Sequence, residues 1–360
     1  MKTDSDILLN QIGEFSLHEW LSSTLARNPL DPIGIGDDCV VLDIDSNRYL
    51  LLTTDRVPLS AYKRSSSYVG KLCVTHNFSD IICKGGLPIG LLLGTYVPRE
   101  TSVEDWKTII IAARDWAAKF NAYILGGDTK ESPTLCIVGC AVGFVEKSKL
   151  LRRDTANSGD ILAVTLANAR KIGLPWTYIL SNSLHWNLPG PDYDFLEARF
   201  MDQNLSLPFQ ETIAANRSTG ITSSADTSDG LGGAIHILST SSGLGVNLQY
   251  DSIRACIDQH VGRYASRLGV DIMNFAFTPG YVWENLFTVS PESFRAVQSR
   301  VRAVGGDLLD LGVMTADHSD IKLTTPEGKT VPFSLFFNEG FRSDREISNS
   351  TEAWLQHRFY

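Results

Sequence analysis

Five short segments of the chain set aspartate beside glycine, serine or threonine near the edge of an apolar run. In one of them, "LGGDTKES" (125–132), Asp128 directly follows two glycines and hydrophobic segments lie on both sides. A single segment of this kind is more often a solvated turn than a site, because aspartate and glycine both favour turns. Five in one chain favour a shared chemical role. The other four are "GIGDDC" (34–39), "TTDR" (53–56), "NFSD" (77–80) and "DTSDG" (226–230).

Aspartates on several separate loops are suited to binding magnesium. Mg²⁺ prefers oxygen ligands and commonly uses one or two carboxylates together with the phosphates of a substrate. Two or more such ions around a nucleoside triphosphate would bridge its phosphates and offset the charge that develops in phosphoryl transfer. Small neighbours let backbone N–H groups approach phosphate oxygens closely; here they are Gly36, Gly126, Gly127 and Gly230.

The residues alone leave simpler interpretations open. Asp229 is also suited to be a helix N-cap, and the Asp37–Asp38 pair also suits a hairpin loop. His76 is a candidate catalytic group, although a structural histidine is the commoner interpretation. The common nucleotide signatures are missing, since the chain has no G-x-x-x-x-G-K-[ST] loop, no kinase His-Arg-Asp set and no G-x-G-x-x-G after a strand.

The composition is ordinary for a folded chain and argues against several classes of protein. Of 360 residues, 43% are hydrophobic, and 41 acidic against 32 basic residues give a net charge of -9. That charge argues against a nucleic-acid binder, which neutralises phosphates with lysine and arginine. The six cysteines form no Cys-x-x-Cys pair, which disfavours a zinc site and a disulfide framework. Since the sequence shows no signal-peptide pattern and no membrane span, we expect a cytoplasmic protein with no membrane partner.

Hydrophobic periodicity predicts alternating strands and helices, and therefore an α/β (α+β) architecture. Helices are predicted at 6–26, over part of 66–85, at 102–121, after Asp229–Gly230 and at 293–306. Strands are predicted at 39–44, 48–55, 90–97, 122–125, 134–145, 161–167 and 284–289. The polar stretch 147–160 predicts a border, which gives domains at 1–150 and 151–345 and a loose tail at 346–360.

The order and wording of the acidic segments resemble those of thiamine-monophosphate kinase. That family shares a superfamily with aminoimidazole ribonucleotide synthetase, selenophosphate synthetase and the hydrogenase-maturation dehydratase. The likeness runs from about Gly34 to about Val246, with a weaker match at "ENLFTV" (284–289). It rests on an ordered set of segments, which are "GIGDDCVVL", "LLTTD", "GKLCVTHNFSDIICKGGLP", "LGGDT", "NSGDILAVT" and "DTSDGLGGAIHIL".

The resemblance implies a two-domain PurM-like architecture, a homodimer, and ATP and Mg²⁺ as cofactors. In this architecture strands of the N-terminal α/β domain pair with a second subunit into a β-barrel, and ATP lies between that domain and a C-terminal α/β domain. In the family the γ-phosphate of ATP passes to the phosphate of thiamine monophosphate, a step of thiamine biosynthesis. An acceptor phosphate is already ionised near pH 7, so no strong general base is required.

The resemblance also implies roles for individual residues. The expected Mg²⁺ ligands are Asp37 or Asp38, Asp55, Asp80, Asp128 and Asp229, and of these Asp128 and Asp229 are the expected catalytic residues. The expected nucleotide contacts are Gly36, Asn77, Ser79, Gly126, Gly127, Thr129, Ser228 and Gly230, with Asn77 and Ser79 supporting the metal loop.

Departures from the family pattern lie mainly in the half that is expected to select the acceptor. Where the family has an acidic pair, this chain has Tyr281–Val282. Where the family has a Gly-aromatic-Asp-His stretch, it has "EGFRSD" (339–344), and where the family has Arg-Pro, it has "SLPF" (206–209). In the half of the chain that follows the family pattern more closely, "CKGG" (83–86) stands where the family has "AMGA", which adds a charge at Lys84.

Three residues in the altered half are candidate contacts for the acceptor, namely Trp283, Phe341 and Arg342. Trp283 would line a pocket. Arg342 would suit an anionic group on the substrate, and it also suits an ordinary surface position.

Three functions are consistent with these residues. The first is an ATP- and Mg²⁺-dependent phosphotransferase acting on thiamine phosphate or another small phosphorylated or carboxylated metabolite. The second is an enzyme that activates an amide or carbonyl oxygen with ATP, for cyclisation, dehydration or ligation in a specialised pathway. The third is a non-catalytic nucleotide-binding homologue. The sister families are disfavoured, because no cysteine precedes Cys39, the sequence ends "LQHRFY" without a cysteine tail, and "TTDR" stands in place of a "GVGTK" loop.

Overall fold

The computed structural model describes residues 8–57, 65–167, 172–205, 209–280, 283–318, 320–336 and 347–360. The sequence predictions at Tyr281, Val282, Phe341 and Arg342 lie outside the described residues. The chain divides into two compact units, which we call the 27–151 unit and the 152–360 unit. The second unit also includes helix α1 (Leu9–Thr24). The predicted domain limits of 1–150, 151–345 and 346–360 stay a prediction.

The 27–151 unit is built on a five-stranded sheet. Its strands and helices are β1 (Val40–Asp43), β2 (Arg48–Arg56), α2 (Ser66–Cys83), β3 (Leu87–Val97), α3 (Val103–Ala118), β4 (Tyr123–Glu131) and β5 (Cys136–Glu146). The strand order is β1-β2-β5-β3-β4, in which only β3 and β4 are parallel. Helix α3 begins as the sequence predicts, since the N-cap Ser102 Oγ accepts a hydrogen bond of 3.0 Å from the N–H of Asp105.

Helix α2 packs on the inner face of this sheet, where β5 presents very small residues. Side chains alternate between the two faces along a strand, and the buried positions of β5 include Gly139, Ala141 and Gly143. A Cβ at Gly139 would lie 2.2 Å from Nδ2 of Asn77 in α2. The absence of that Cβ therefore lets α2 come close enough for its polar side chains to reach the strands.

The outer face of the same sheet is apolar and remains partly exposed. The strand register places Leu52 beside Val142 and Leu50 beside Phe144 on this face. Leu125 covers Gly90, because a Cβ at Gly90 would lie 2.4 Å from Cγ of Leu125. Exposed fractions reach 41% for Leu92 and 51% for Leu125.

Strand β4 contradicts the prediction that "LGGDTKES" forms a loop after a strand at 122–125. The strand runs through this segment to Glu131 as a sheet edge, and it pairs in parallel with β3 through Gly94↔Asp128 and Val97↔Glu131. Gly127 has φ +150°, and a Cβ there would lie 1.8 Å from the carbonyl oxygen of Leu93. The glycines that suggest a turn in the sequence instead allow an irregular strand to pair closely with its neighbour.

The 152–360 unit contains a seven-stranded sheet in the order β12-β11-β8-β10-β6-β9-β7. Its strands are β6 (Ile161–Leu166), β7 (Ile221–Asp226), β8 (Gly245–Gln249), β9 (Asn285–Val289), β10 (Asp307–Thr315), β11 (Ile321–Thr324) and β12 (Thr330–Pro332). Its helices besides α1 are α4 (Leu174–Ser183), α5 (Gly190–Leu205), α6 (Phe209–Asn216), α7 (Leu231–Ser242), α8 (Tyr250–Cys256), α9 (Gly262–Leu268), α10 (Phe294–Arg302) and α11 (Ile347–Gln356). In the described part of the chain, no helix combines the length and the apolar character needed to cross a membrane.

The C-terminal segment is part of the core of this unit, although its polar sequence suggests a loose tail. Trp354 in α11 is fully buried, and its ring centroid lies 5.8 Å from that of Trp176 and 5.0 Å from that of Phe275. Its indole Nε1–H donates a 2.9 Å hydrogen bond to the carbonyl oxygen of Phe277. The polar composition of the segment hid this contact, because its apolar residues are few and show no clear periodicity.

We expect Gly127→Ala to destabilise the protein by about 2 kcal/mol or more, because the new methyl group would overlap the Leu93 carbonyl. Gly126→Ala is the matched control, since Gly126 has a similar φ of +146° and the nearest atom to its Cβ is 3.8 Å away. Urea unfolding of both variants measures the difference. Equal losses of stability would show that backbone strain alone, without the close approach to Leu93, sets the cost.

Candidate functional site

Asp55 and Asp80 lie on neighbouring elements, where α2 packs on β2. Thr53 and Asp55 lie on the inner face of β2, two residues apart and in line with the buried Leu51. The hydroxyl of Thr53 donates a 2.6 Å hydrogen bond to Oδ2 of Asp80, which is buried in α2. This bond fixes the orientation of the Asp80 carboxylate beside the strand that carries Asp55. Neither aspartate lies in a turn, because Asp80 is helical and Asp55 is within the strand.

Asn77 fixes the backbone that carries Asp55. Its Oδ1 accepts a 3.0 Å hydrogen bond from the N–H of Asp55, and its Nδ2 donates a 2.8 Å bond to the carbonyl oxygen of Cys73. Asn77 is fully buried, and Ser79 beside it is 3% exposed. Both residues were expected to support the metal loop. The geometry makes Asn77 a positioning residue and gives Ser79 little surface for a phosphate.

The Asp37–Asp38 pair is held by Lys84, directly after α2. The Nζ of Lys84 lies 2.6 Å from Oδ1 of Asp37 and 2.6 Å from Oδ2 of Asp38. The side chain of Lys84 is completely buried, and those of Asp37 and Asp38 are 4% and 2% exposed. The thiol of Cys83 also donates to Oδ2 of Asp38, at 3.2 Å. The pair thus already holds a cation, which the sequence signalled only as an added charge in "CKGG".

Asp38 and Asp80 lie close together, and they affect a buried thiol. Carboxylate oxygens of these two residues lie within 4.8 Å of each other. Burial raises the pKa of the Cys39 thiol, and the charges of Asp80 and Asp38 raise that pKa further. Burial also raises the pKa of Cys73, with a smaller contribution from Asp55. Both thiols are therefore protonated at neutral pH, which makes them unsuited to be thiolate nucleophiles or metal ligands.

His76 is neutral at physiological pH. Burial lowers the pKa of its imidazole to about 3, because a low-dielectric environment disfavours the charged form. A group with this pKa is a poor proton donor near pH 7, since catalytic acids need a pKa near the working pH. The structural interpretation of His76 is the one that this environment favours.

Asp128 lies on a different strand from the other acidic residues of this unit. Asp55 on β2 pairs with Gly139 on β5. Gly139 pairs in turn with Leu93 on β3, and Leu93 pairs with Gly127 on β4. Three strand spacings separate β2 from β4, which is about 14 Å. Asp128 is more than half exposed, and its Oδ1 lies 3.6 Å from Nζ of Lys130.

The neighbours of Asp128 on β4 are also accessible from solvent. Gly126, Gly127 and Thr129 are exposed along the edge strand. The hydroxyl of Thr129 lies 2.9 Å from that of Thr95 on β3, which fixes the position of its side chain. Gly36 is exposed as well, in the loop before Asp37. These glycines therefore expose backbone at the sheet edge and in the loop.

In the 152–360 unit, the segment 226–230 joins β7 to α7. Asp226 ends the strand and is 9% exposed, and Ser228 Oγ donates a 3.2 Å hydrogen bond to its Oδ1. Asp229 is exposed and is not the helix cap, because the N-cap of α7 is Gly230. Sequence reasoning chose Asp229 and passed over Asp226. The position of Asp226 at the end of β7, directly before the turn that leads to α7, was the available signal.

Of the predicted acceptor contacts, only Trp283 lies in the described residues. It is 4% exposed, and its backbone N–H donates a 3.0 Å hydrogen bond to Oε2 of the buried Glu284. In this conformation Trp283 offers a substrate very little surface.

Comparison with known proteins gives consistent matches. Residues 36–145 match the family model of the AIR synthase related protein N-terminal domain. The thiamine-monophosphate kinase of Pyrococcus horikoshii is 26% identical over 279 residues, which cover 76% of this chain and 83% of that protein. The thiamine-monophosphate kinase of Haemophilus influenzae is 26% identical over 352 residues, or 93% of this chain and 99% of the relative. The solved structure of AaThiL complexed with AMPPCP and TMP has a TM-score of 0.75 and 21% identity, over 93% of this chain and 99% of the other.

The chain is an α/β protein with a PurM-like fold, as its sequence predicts. Residues 36–145 carry the match to the AIR synthase related N-terminal domain, and over most of its length the chain is similar to thiamine-monophosphate kinases. The β-barrel at a dimer interface stays a prediction.

We expect Asn77→Ala to lower the free energy of unfolding by about 1–3 kcal/mol, because it removes the acceptor for the N–H of Asp55. Thr54→Val is the control, since the exposed Thr54 makes one hydrogen bond, to the Gly139 carbonyl, and we expect a loss of about 0.5 kcal/mol or less. Chemical denaturation of both variants tests this. Losses of equal size would remove the special role of Asn77.

Proposed function

We propose that this protein is an ATP- and Mg²⁺-dependent phosphotransferase that resembles thiamine-monophosphate kinase. It would transfer the γ-phosphate of ATP to a small phosphorylated or carboxylated metabolite. The observation that carries the proposal is the arrangement of Asp55 and Asp80 on neighbouring elements, in which Thr53 bonds the Asp80 carboxylate and Asn77 bonds the backbone N–H of Asp55. The names of the relatives support the same activity.

We infer that Asp55 and Asp80, rather than Asp37 and Asp38, would hold the magnesium ion. A carboxylate that accepts one hydrogen bond can still bind Mg²⁺, because an ionised carboxylate offers about four lone-pair positions. Bound there, the ion would bridge phosphate oxygens and offset charge in the transition state. The Asp37–Asp38 pair already contacts the ammonium group of Lys84.

The exposed glycines of β4 would bind phosphate oxygens through backbone N–H groups. Thr129 would add a hydroxyl, and Asp128 would hold a further metal ion near the reacting phosphate. In the 152–360 unit, Asp229 would be a metal ligand too, with Ser228 and Gly230 as nucleotide contacts. No residue needs to remove a proton, because an acceptor phosphate is already ionised near pH 7.

We also propose that the protein is a homodimer, assembled through the outer face of the five-stranded sheet. Leu50, Leu52, Val142 and Phe144 form an apolar band on that face, and Leu92 and Leu125 extend it to the sheet edge. Contiguous apolar surface of this kind is typical of protein–protein interfaces. A second copy of the same face would be complementary to it about a two-fold axis.

Incubation of the purified protein with ATP, Mg²⁺ and thiamine monophosphate, followed by mass detection of thiamine diphosphate, tests the proposed activity. We expect product that depends on both enzyme and metal. ADP with free phosphate and no thiamine diphosphate would favour an ATP-dependent activating enzyme instead. ATP binding without any ADP would favour a non-catalytic homologue.

We expect Asp128→Asn to lower Mg²⁺-dependent turnover at least ~100-fold, the usual loss when a transition-state charge partner is removed. Its fold should be unchanged, because the Asp128 side chain is 56% exposed. Asp115→Asn, at an aspartate that is 61% exposed on α3, is the matched control and should keep full turnover. Full activity of Asp128→Asn would remove Asp128 from the site.

We expect Leu92→Glu to convert a dimer into a monomer, because it places a charge on the apolar outer face. Ile111→Glu is the control, since Ile111 is exposed to a similar extent on α3, at 46% against 41%. Light scattering coupled to size-exclusion chromatography gives the mass of each. A monomeric wild type, or a dimeric Leu92→Glu, would refute this interface.

A further inference from the structure

We propose that the ammonium group of Lys84 takes the place of one divalent cation in this protein. The Asp37–Asp38 pair would then hold an internal cation permanently and would bind no metal ion. The inference goes beyond the proposed function and rests on it only in taking Mg²⁺ as the ion bound elsewhere in the unit.

The contacts of Lys84 carry this inference. Its Nζ lies 2.6 Å from one oxygen of each aspartate, which is the distance of a strong charge-assisted hydrogen bond. The lysine side chain has no exposed surface, so these carboxylates replace the water that would otherwise solvate its charge. A buried ammonium group of this kind requires such partners.

A divalent ion bound by the same oxygens would lie within a few ångströms of the Lys84 charge. Two cations this close repel each other strongly in a buried environment, where water screens them little. A second contact also stabilises this loop, because Asp37 Oδ1 accepts a 2.8 Å hydrogen bond from the N–H of Asp38. The lysine therefore organises the 34–39 loop without metal.

As a consequence, Asp37 and Asp38 in this loop would not be among the metal ligands of the protein. Asp55 and Asp80 would be the ligands of the proposed Mg²⁺ site on α2 and β2, and Asp128 would be a ligand on β4. The number of ions bound per chain then falls by one relative to a variant in which the lysine charge is removed.

Counting bound Mn²⁺ by electron paramagnetic resonance, without ATP or acceptor, tests the inference. Methionine is unbranched and close to lysine in length, so we expect Lys84→Met to bind one more Mn²⁺ per chain than the wild type. Mn²⁺ should also raise the melting temperature of this variant more than that of the wild type, because an ion that binds only the folded state stabilises it. Lys149→Met, which removes the charge of an exposed lysine, should match the wild type.

An unchanged Mn²⁺ count in a folded Lys84→Met would overturn the inference. If Lys84→Met fails to fold, Asp37→Asn in the presence of Lys84 decides the matter. We expect this variant to bind as many Mn²⁺ ions as the wild type, and the loss of one ion would overturn the proposal. Since the count needs no turnover, a negative kinase assay would contradict the proposed activity alone.

Discussion

The close approach of α2 to the five-stranded sheet is the constraint on which the candidate site depends. Asn77, Asp80 and Lys84 are three and four residues apart, which places them along one side of the helix. Each makes a different polar contact from that side, with the Asp55 backbone, the Thr53 hydroxyl and the Asp37–Asp38 pair. Because Gly139 has no side chain, the helix can lie close enough for these contacts to form.

These contacts also explain how so much charge is buried in one place. An isolated ammonium or carboxylate in a protein interior is strongly disfavoured, and removing one partner of a buried pair commonly costs about 3–5 kcal/mol. Here one lysine faces two aspartates, and Asp80 receives a hydroxyl hydrogen bond. The net negative charge of the cluster suits added cations, which is the property that a phosphate-binding site in an acidic protein requires.

Much of the fold can be predicted from the sequence, because periodic apolar residues mark most of its strands and helices. The failures have local physical causes. Gly126 and Gly127 suggest a turn, yet they serve an edge strand, since parallel pairing with β3 satisfies the backbone there. Trp354 in a polar segment gave no periodic signal for a buried helix. Lys84 could be noticed in the sequence as a charge, but its two partners are 46 and 47 residues away and only the fold brings them together.

The burial of Trp354 bears on the order in which the chain folds during synthesis. Residues 27–151 are contiguous and form their own unit, so they can fold soon after they leave the ribosome. The other unit draws on residues before 27 and after 151, and Trp354 and Phe359 complete its core. Its hydrophobic core therefore stays incomplete until residues 354–359 have been translated.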